Sequence, residues 1–322
     1  MAHPILDALP GFPHKVSAAL PALDKAWADE GENASRASQM NLVLMFGATV
    51  TPADAQARFD EAVLFAQRYP CRVVVLAARP LAEADAPLEA KVNVICFFNP
   101  ARRGKRCCEA LLLAHGKPTQ ELESLVSTWL EGDLPTNLWA HGVTDTEMEP
   151  WLAWTARCRR VVADRSVTGK DFYSLPFPKP SHLRDLSIAR CLPVRQALGQ
   201  FLAAHAPAVL VTGLQTVTLS HNAARRGEAT GLLNWMRDCL AACARPSGSD
   251  LKVEFQLRAG PPEGHSLDAE WIYADGSRFS WEHAEKGTKA TLRFTRADNP
   301  QAQALRVALL GPAEALSEAI FF

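Results

Sequence analysis

Two apolar runs set the frame for this chain: Met40–Phe46 (MNLVLMF) and Arg72–Ala77 (RVVVLA). Both are short and rich in branched side chains, so each reads as a buried strand. Gly47 ends the first. Thr51-Pro52 then supplies a helix N-cap followed by proline in the first turn, where its missing N–H costs nothing. The spacing predicts a helix over Ala53–Arg68 with Phe59, Val63, Leu64 and Ala66 on its inner side. Tyr69-Pro70 stops it, because proline disfavours helical geometry in the preceding residue. Strand, helix and strand of these lengths predict a βαβ unit, and with it an α/β layer structure.

The pattern continues on both sides of that unit. A helix-like stretch from about His14 to Asp29 gives residues 1–35 the look of an N-terminal helical extension. Further strands are expected over Lys91–Phe97, Cys107–Leu113, Leu134–Ala140 and Arg160–Ala163. Helices are expected over Thr119–Leu130, with Leu122, Leu125, Val126 and Trp129 on one face, and over Glu147–Ala156. These define an α/β domain over residues 36–170. Three prolines at 176, 178 and 180 mark residues 171–186 as a Pro-rich connector between two cores.

A second α/β domain, α+β in character, is expected over residues 187–322. It opens with a helix over Pro193–His205, a strand over Ala208–Thr212 and a helix from Glu228 to about Cys243, with Leu232, Leu233, Met236 and Leu240 in phase. Pro246-Ser247-Gly248-Ser249 breaks that helix. Leu251–Leu257, Asp268–Tyr273, Ser277–Trp281 and Lys289–Arg296 alternate in the manner of antiparallel strands. Asp275-Gly276 is the strongest hairpin signal in the chain. A strand over Leu305–Leu310 and a short terminal helix complete the expected order.

Charge and composition narrow the partners. The 322 residues carry 34 basic and 35 acidic side chains, a net charge of −1, which lacks the electrostatic footprint of a nucleic-acid or anionic-membrane binder. The short basic cluster Arg102-Arg103-Gly104-Lys105-Arg106 reads as a solvated loop. No apolar run approaches the roughly 18 residues of a membrane span, and the N-terminus shows no signal-peptide pattern. The 8 cysteines in a chain of this length do not make a secreted disulfide framework. A cytoplasmic location with mostly reduced thiols is expected; self-association is left open.

No catalytic constellation emerges. There is no GxGxxG or G-x-S-x-G. Gly169-Lys170-Asp171 lacks the upstream glycine of a phosphate loop, since Asp164 stands there, and Ser249-Asp250-Leu251-Lys252 lacks the companions of an S-x-x-K nucleophile. No C-x-x-C or H-E-x-x-H occurs, so no metal or other cofactor is expected. Cys239 and Cys243, one helical turn apart, read as small buried apolar groups, and Cys107 and Cys108 as neighbours facing opposite ways on a strand. The carboxylate pairs Glu121/Glu123 and Glu147/Glu149 read as surface charge. What stands out is tryptophan and arginine near chain turns: Trp139, Trp151 and Trp154, then Arg159-Arg160, Arg165, Arg184, Arg190 and Arg195. Such residues anchor interfaces; equally, the tryptophans can be core and the arginines can pair with Asp164 and Asp185.

In the same segments the chain resembles the OpcA family of glucose-6-phosphate dehydrogenase assembly proteins, as a divergent member. Asn41-Leu42-Val43 resembles its first strand, and Pro70-x-Arg72-Val73 its HPSRV block, with Tyr69 for His and Cys71 for Ser. Asp133-Leu134-Pro135-x-x-Leu138-Trp139 is similar to its DLPxxLW block, and Asp164 with Ser166 to IVDSS, Arg165 replacing the first Ser. Asp185-Leu186-x-x-x-Arg190-x-x-Pro193-x-Arg195 is similar to DLAWTRLxPWR, with Ile188 and Val194 in place of tryptophan. The resemblance implies a non-catalytic, allosteric activator that binds glucose-6-phosphate dehydrogenase and promotes its active oligomer. It makes Arg72, Asp133, Pro135, Trp139, Asp164, Ser166, Arg184, Asp185, Arg190 and Arg195 the candidates for touching the partner or positioning the domains. The alternative is a sugar-phosphate-binding α/β protein, an effector sensor or weak enzyme, gripping its ligand at strand carboxyl ends.

Overall fold

The computed structural model describes residues 3–29, 34–35, 38–99, 104–169, 171–245, 252–284, 286–296 and 299–322. The chain divides into two compact units, one holding residues up to 186 together with 312–322, the other residues 187–311.

The first unit opens with helix α1 (Pro4–Ala8), strand β1 (Phe12–His14), helix α2 (Ala19–Asp29) and strand β2 (Ala34–Ser35). The expected βαβ unit follows. Strand β3 (Met40–Phe46), helix α3 (Pro52–Arg68) and strand β4 (Cys71–Ala78) form it, with β3 and β4 parallel and every residue of β3 buried. Thr51 Oγ1 accepts the N–H of Asp54 at 3.2 Å, which caps α3 as its sequence predicts. One inner-face assignment shifts: Leu64 is exposed and Phe65 is buried in its place.

Strands β5 (Glu89–Asn99) and β6 (Gly104–His115) form an antiparallel pair, and β6 joins β4 in parallel. Gly104-Lys105-Arg106 are therefore strand backbone; Arg102 and Arg103 of the expected loop lie outside the described residues. Helix α4 (Gln120–Trp129), strand β7 (Thr136–His141), helix α5 (Asp145–Met148), strand β8 (Cys158–Ala163) and strand β9 (Leu183–Asp185) complete the sheet. The helix expected over Glu147–Ala156 is instead α5 followed by two 3-10 turns, Glu149–Trp151 and Trp154–Arg157. Pro150 has no N–H to continue an α-helical ladder.

Among the described residues nine strands make this sheet, in the order β1-β5-β6-β4-β3-β7-β8-β9 with β2 beside β6. From β6 to β9 all neighbours are parallel. In chain order these six strands stack as 3-2-1-4-5-6, the doubly wound arrangement. One face buries Val43, Met45, Val74, Leu76, Leu111 and Leu113 against Leu122, Val126 and Trp129 of α4 and against Trp151 and Trp154.

The segment 171–186 differs from a connector between cores. It holds two 3-10 turns and the edge strand β9, and buries Phe172 and Phe177 in the first core. Prolines are tolerated here because an irregular segment on a sheet edge has few backbone hydrogen bonds to lose.

The second unit contains α6 (Leu186–Arg190) from Ser187 on, α7 (Leu192–Leu202), α8 (Pro207–Val211), β10 (Leu214–His221), α9 (Arg226–Ala244), β11 (Glu254–Ala259), β12 (His265–Tyr273), β13 (Arg278–Ala284), β14 (Lys289–Arg296) and β15 (Asn299–Arg306). Its six-stranded sheet runs β11-β10-β12-β13-β14-β15. The strand expected over Ala208–Thr212 is the helix α8, with Pro207 at its first turn, and the strand is the next segment, Leu214–His221. Strand β11 pairs parallel to β10, although its sequence alternates like an antiparallel strand; α9 is the crossover. The Asp275-Gly276 hairpin forms as expected, with Gly276 at φ +81°. Leu232, Leu233, Met236 and Leu240 are all buried, whereas Cys239 is exposed and Cys243 half-buried. The break at 246–249 lies outside the described residues.

The last helix, α10 (Pro312–Phe321), belongs to the first unit, not the second, and packs on α3, where Phe321 meets Phe65 and Tyr69. Cys96 and Cys107 are joined across β5 and β6 in a disulfide; the other six cysteines are not disulfide-bonded.

Candidate functional site

A doubly wound sheet leaves a crevice at the carboxyl ends of its strands, where the crossovers switch direction. Here that point lies between β3 and β7. Gly47 N donates to His141 O at 3.1 Å. A Cβ on Gly47 would stand 2.0 Å from Gly142 O, so the two strand ends close up only on glycine. Gly142 itself has φ +61°, a region glycine enters at little cost.

Glu147 ties this point together. Its Oε1 accepts the N–H of Ala48 at 2.7 Å, and its Oε2 accepts Thr144 N at 2.7 Å and Thr144 Oγ1 at 2.8 Å. The latter contacts belong to a capping box at α5. Glu147 is thus half-buried and structural, not ordinary surface charge. Beside it, His141 Nε2 meets Asp54 Oδ2 at 2.6 Å in the first turn of α3.

A cleft of about 480 Å³ opens at this edge, with walls from Met45, Val143, Pro118 and Trp151 and with Arg79 and His115 among its lining residues. His115 Nδ1 donates to Gly116 O at 2.8 Å, which leaves Nε2 as the acceptor nitrogen. That atom is buried and has no partner among the described residues, and the same holds for Arg79 Nε. The Arg79 terminal nitrogens pair with Glu83 and Glu89. Burial lowers the pKa of His115, and burial also lowers that of His3, whose Nε2 lies 3.3 Å from Ala78 O at the same edge.

The ten candidates from the sequence occupy four places. At the amino ends of the strands, buried Arg72 pairs with Glu109 and Glu131 and donates to Trp129 O at 3.0 Å, while Trp27 Nε1 donates to Glu109 at 2.7 Å. Asp133 and Pro135 are exposed in the adjoining turn, which Asn41 holds through Glu131 N and O, each at 2.9 Å. Trp139 is buried in the middle of β7, and Trp151 and Trp154 are core as well. At the ends of β8 and β9, Asp164 accepts Ser166 N at 2.9 Å and Asp185 pairs with Arg165 at 2.7 Å. Arg165 stacks on Tyr173 at 3.8 Å, and burial with the Asp185 carboxylate raises the Tyr173 phenol pKa strongly. Arg184 donates to Ser181 O and Leu183 O, and Ser166 is exposed. Arg190, which pairs with Glu228 at 2.9 Å, and Arg195 lie in the second unit.

Among the described residues, no group of three or more His, Cys, Asp or Glu side chains is placed to hold a metal ion. Lys170 of the phosphate-loop candidate and Ser249 of the S-x-x-K candidate lie outside the described residues. No described helix is long and apolar enough to cross a membrane. The sequence reading missed Arg79, His115 and the role of Glu147. Only the glycine after β3 and the Thr144–Glu147 spacing signalled them, and both motifs are common.

The fold and the tied-off crevice define a doubly wound α/β protein whose switch point carries its own carboxylate. Residues 62–175, from within α3 through the 3-10 turn after β8, match the family described as "Glucose-6-phosphate dehydrogenase subunit N-terminal domain", OpcA_G6PD_assem. That match, to a family of glucose-6-phosphate dehydrogenase assembly proteins, covers about a third of the chain. No curated protein matches significantly. Among solved structures, the chain is similar to KijD10, a 3-ketoreductase from Actinomadura kijaniata, at 11% identity and TM-score 0.44, over 87% of this chain and 88% of that one. It is also similar to the aldose-aldose oxidoreductase of Caulobacter crescentus, at 8% identity and TM-score 0.37, over 86% and 87%. Likenesses this distant carry no inference about ligand or chemistry.

Proposed function

We propose that this chain is a non-catalytic assembly factor of the cytoplasm that binds glucose-6-phosphate dehydrogenase and favours its active oligomer. The observation that carries the reading is the family match over residues 62–175, which takes in β4 to β8. A partner that binds the active state better than the inactive one raises activity by its differential affinity alone, with no catalytic group of its own.

The switch point supports the non-catalytic part of the reading. A dinucleotide's pyrophosphate uses backbone N–H groups at the first strand–helix turn. Here the Ala48 N–H is committed to Glu147, and Asp54 adds a second carboxylate at the start of α3. A sugar phosphate, the competing reading, meets the same obstacle, since Glu83 and Glu89 already neutralise Arg79.

Within this reading, the buried candidates Arg72, Trp139 and Asp164 hold the scaffold. The exposed or half-exposed ones, Asp133, Pro135, Ser166 and Arg184, lie where the dehydrogenase can reach them. The test is co-purification with the dehydrogenase of the same organism, followed by its NADP-dependent assay with and without this chain. A stable complex with raised kcat or lowered KM is expected. Arg184→Ala should weaken the complex severalfold while stability stays within about 0.5 kcal/mol. No complex at micromolar concentrations, with kinetics unchanged, overturns the reading.

A further inference from the structure

We infer that the cleft at the carboxyl ends of β3, β4, β6 and β7 is a binding site for a planar heterocycle with a hydrogen-bond donor and acceptor on one edge, of the adenine class. The inference is independent of the dehydrogenase reading and concerns this chain alone.

Two atoms define the site. Arg79 Nε is a buried donor and His115 Nε2 a buried acceptor; both residues line the cleft and neither atom has a partner among the described residues. Buried polar atoms are paired in the great majority of cases, and an unpaired one costs free energy that a ligand's edge recovers. The acceptor character of Nε2 follows from geometry, because Nδ1 must carry the proton it gives to Gly116 O at 2.8 Å. The two residues sit on neighbouring strand ends, where Arg79 N donates to His115 O at 2.8 Å, and a donor and an acceptor lining one cleft suit a ring nitrogen next to an amino group.

The walls fit a flat, largely apolar body. Trp151 meets the His115 ring edge-on at 5.8 Å, and Met45, Val143 and Pro118 contribute further apolar surface. The volume of about 480 Å³ lies in the range of small-molecule sites. Carboxylates set the sign of the selectivity. Glu147 lies at the cleft, Glu83 and Glu89 pair with Arg79, and the lining Lys117 is exposed and screened by solvent, so a phosphate attached to the ring gains little here and stays outside. The shared chemistry is the base, whether it comes from a free nucleoside or from a nucleotide.

The experiment is calorimetric titration of the purified full chain with adenosine, purine riboside (which lacks the 6-amino group), adenosine monophosphate and inorganic phosphate. Adenosine should bind at one site per chain. Purine riboside should bind about tenfold more weakly or worse, because His115 Nε2 is again left unpaired. Adenosine monophosphate should bind no tighter than adenosine, and phosphate should not bind. His115→Phe keeps the ring and removes the acceptor, so adenosine should fall to the affinity of purine riboside. Should that variant fail to fold, Thr146→Trp, made at an exposed position of the cleft, should block adenosine with the melting temperature unchanged. No heat from adenosine at millimolar concentration, or equal affinity for adenosine and purine riboside, overturns the inference. So does adenosine monophosphate or phosphate binding tenfold more tightly than adenosine, which would make the cleft an anion site.

Discussion

The two ends of the parallel sheet in the first unit solve the same problem in opposite ways. At the amino ends, charged and polar side chains are buried and matched to one another: Arg72 with Glu109 and Glu131, Trp27 with Glu109, Asn41 with the turn at 131–136. At the carboxyl ends, Arg79 and His115 are equally buried, yet each keeps one nitrogen without a partner among the described residues, beside a cleft. A satisfied buried network is a device for stability and register; an unsatisfied one beside open volume is a device for binding. Function is therefore expected where the polar accounting does not close.

The sharpest way to break that contrast is at Arg72. Arg72→Leu leaves the Glu109 carboxylate buried without its cation, and should cost about 3–5 kcal/mol of stability in denaturant unfolding. The double variant Arg72→Leu with Glu109→Met should recover much of that loss, since removing both partners also removes the desolvation cost. At the opposite end, loss of the His115 acceptor should be far milder. A comparable loss there would make both ends structural.

A smaller effect, of roughly 2–3 kcal/mol, is expected from Gly47→Ala, because its Cβ at 2.0 Å from Gly142 O must push β3 and β7 apart. Hydrogen exchange should report the loosening at the carboxyl ends of these strands before the amino ends. Uniform loosening would mean that the two ends are not separable.

The mildest expectation is a pH effect. Burial lowers the pKa of His3 and His115, so between their folded values and the ordinary value of about 6.5 the unfolded chain binds more protons than the folded one. Their contribution is complete above that ordinary value and is lost as pH falls below it. Melting temperature should drop from neutral toward pH 5, and His115→Phe should flatten the slope. An unchanged slope would remove His115 from the account.

Much of the fold was legible in the chain. The runs at Met40–Phe46 and Arg72–Ala77, the Thr51-Pro52 cap and the Asp275-Gly276 turn are local signals, and each formed as its residues direct. Local rules failed where tertiary context competes. Leu64 and Phe65 are adjacent apolar residues, and only packing on the sheet and on Phe321 chose which is buried. Ala208–Thr212 is apolar enough for a strand, but Pro207 and the packing of α8 made it helical. The alternation of β11 was read as antiparallel, while the crossover through α9 made it parallel.

The sequence by itself determined the α/β class, the buried strands and their caps, because side-chain period and turn chemistry act within a few residues. It also carried the family blocks, whose order needs no fold to be seen. Only the tertiary structure decided strand order, the return of α10 to the first unit, and the meeting of Gly47 with Gly142 and of Arg79 with His115 at one edge. Those pairings join residues tens of positions apart, so nothing in the local sequence encodes them. They exist because a parallel sheet must close its crossovers over both faces, and its strand ends then bring together what the chain keeps far apart.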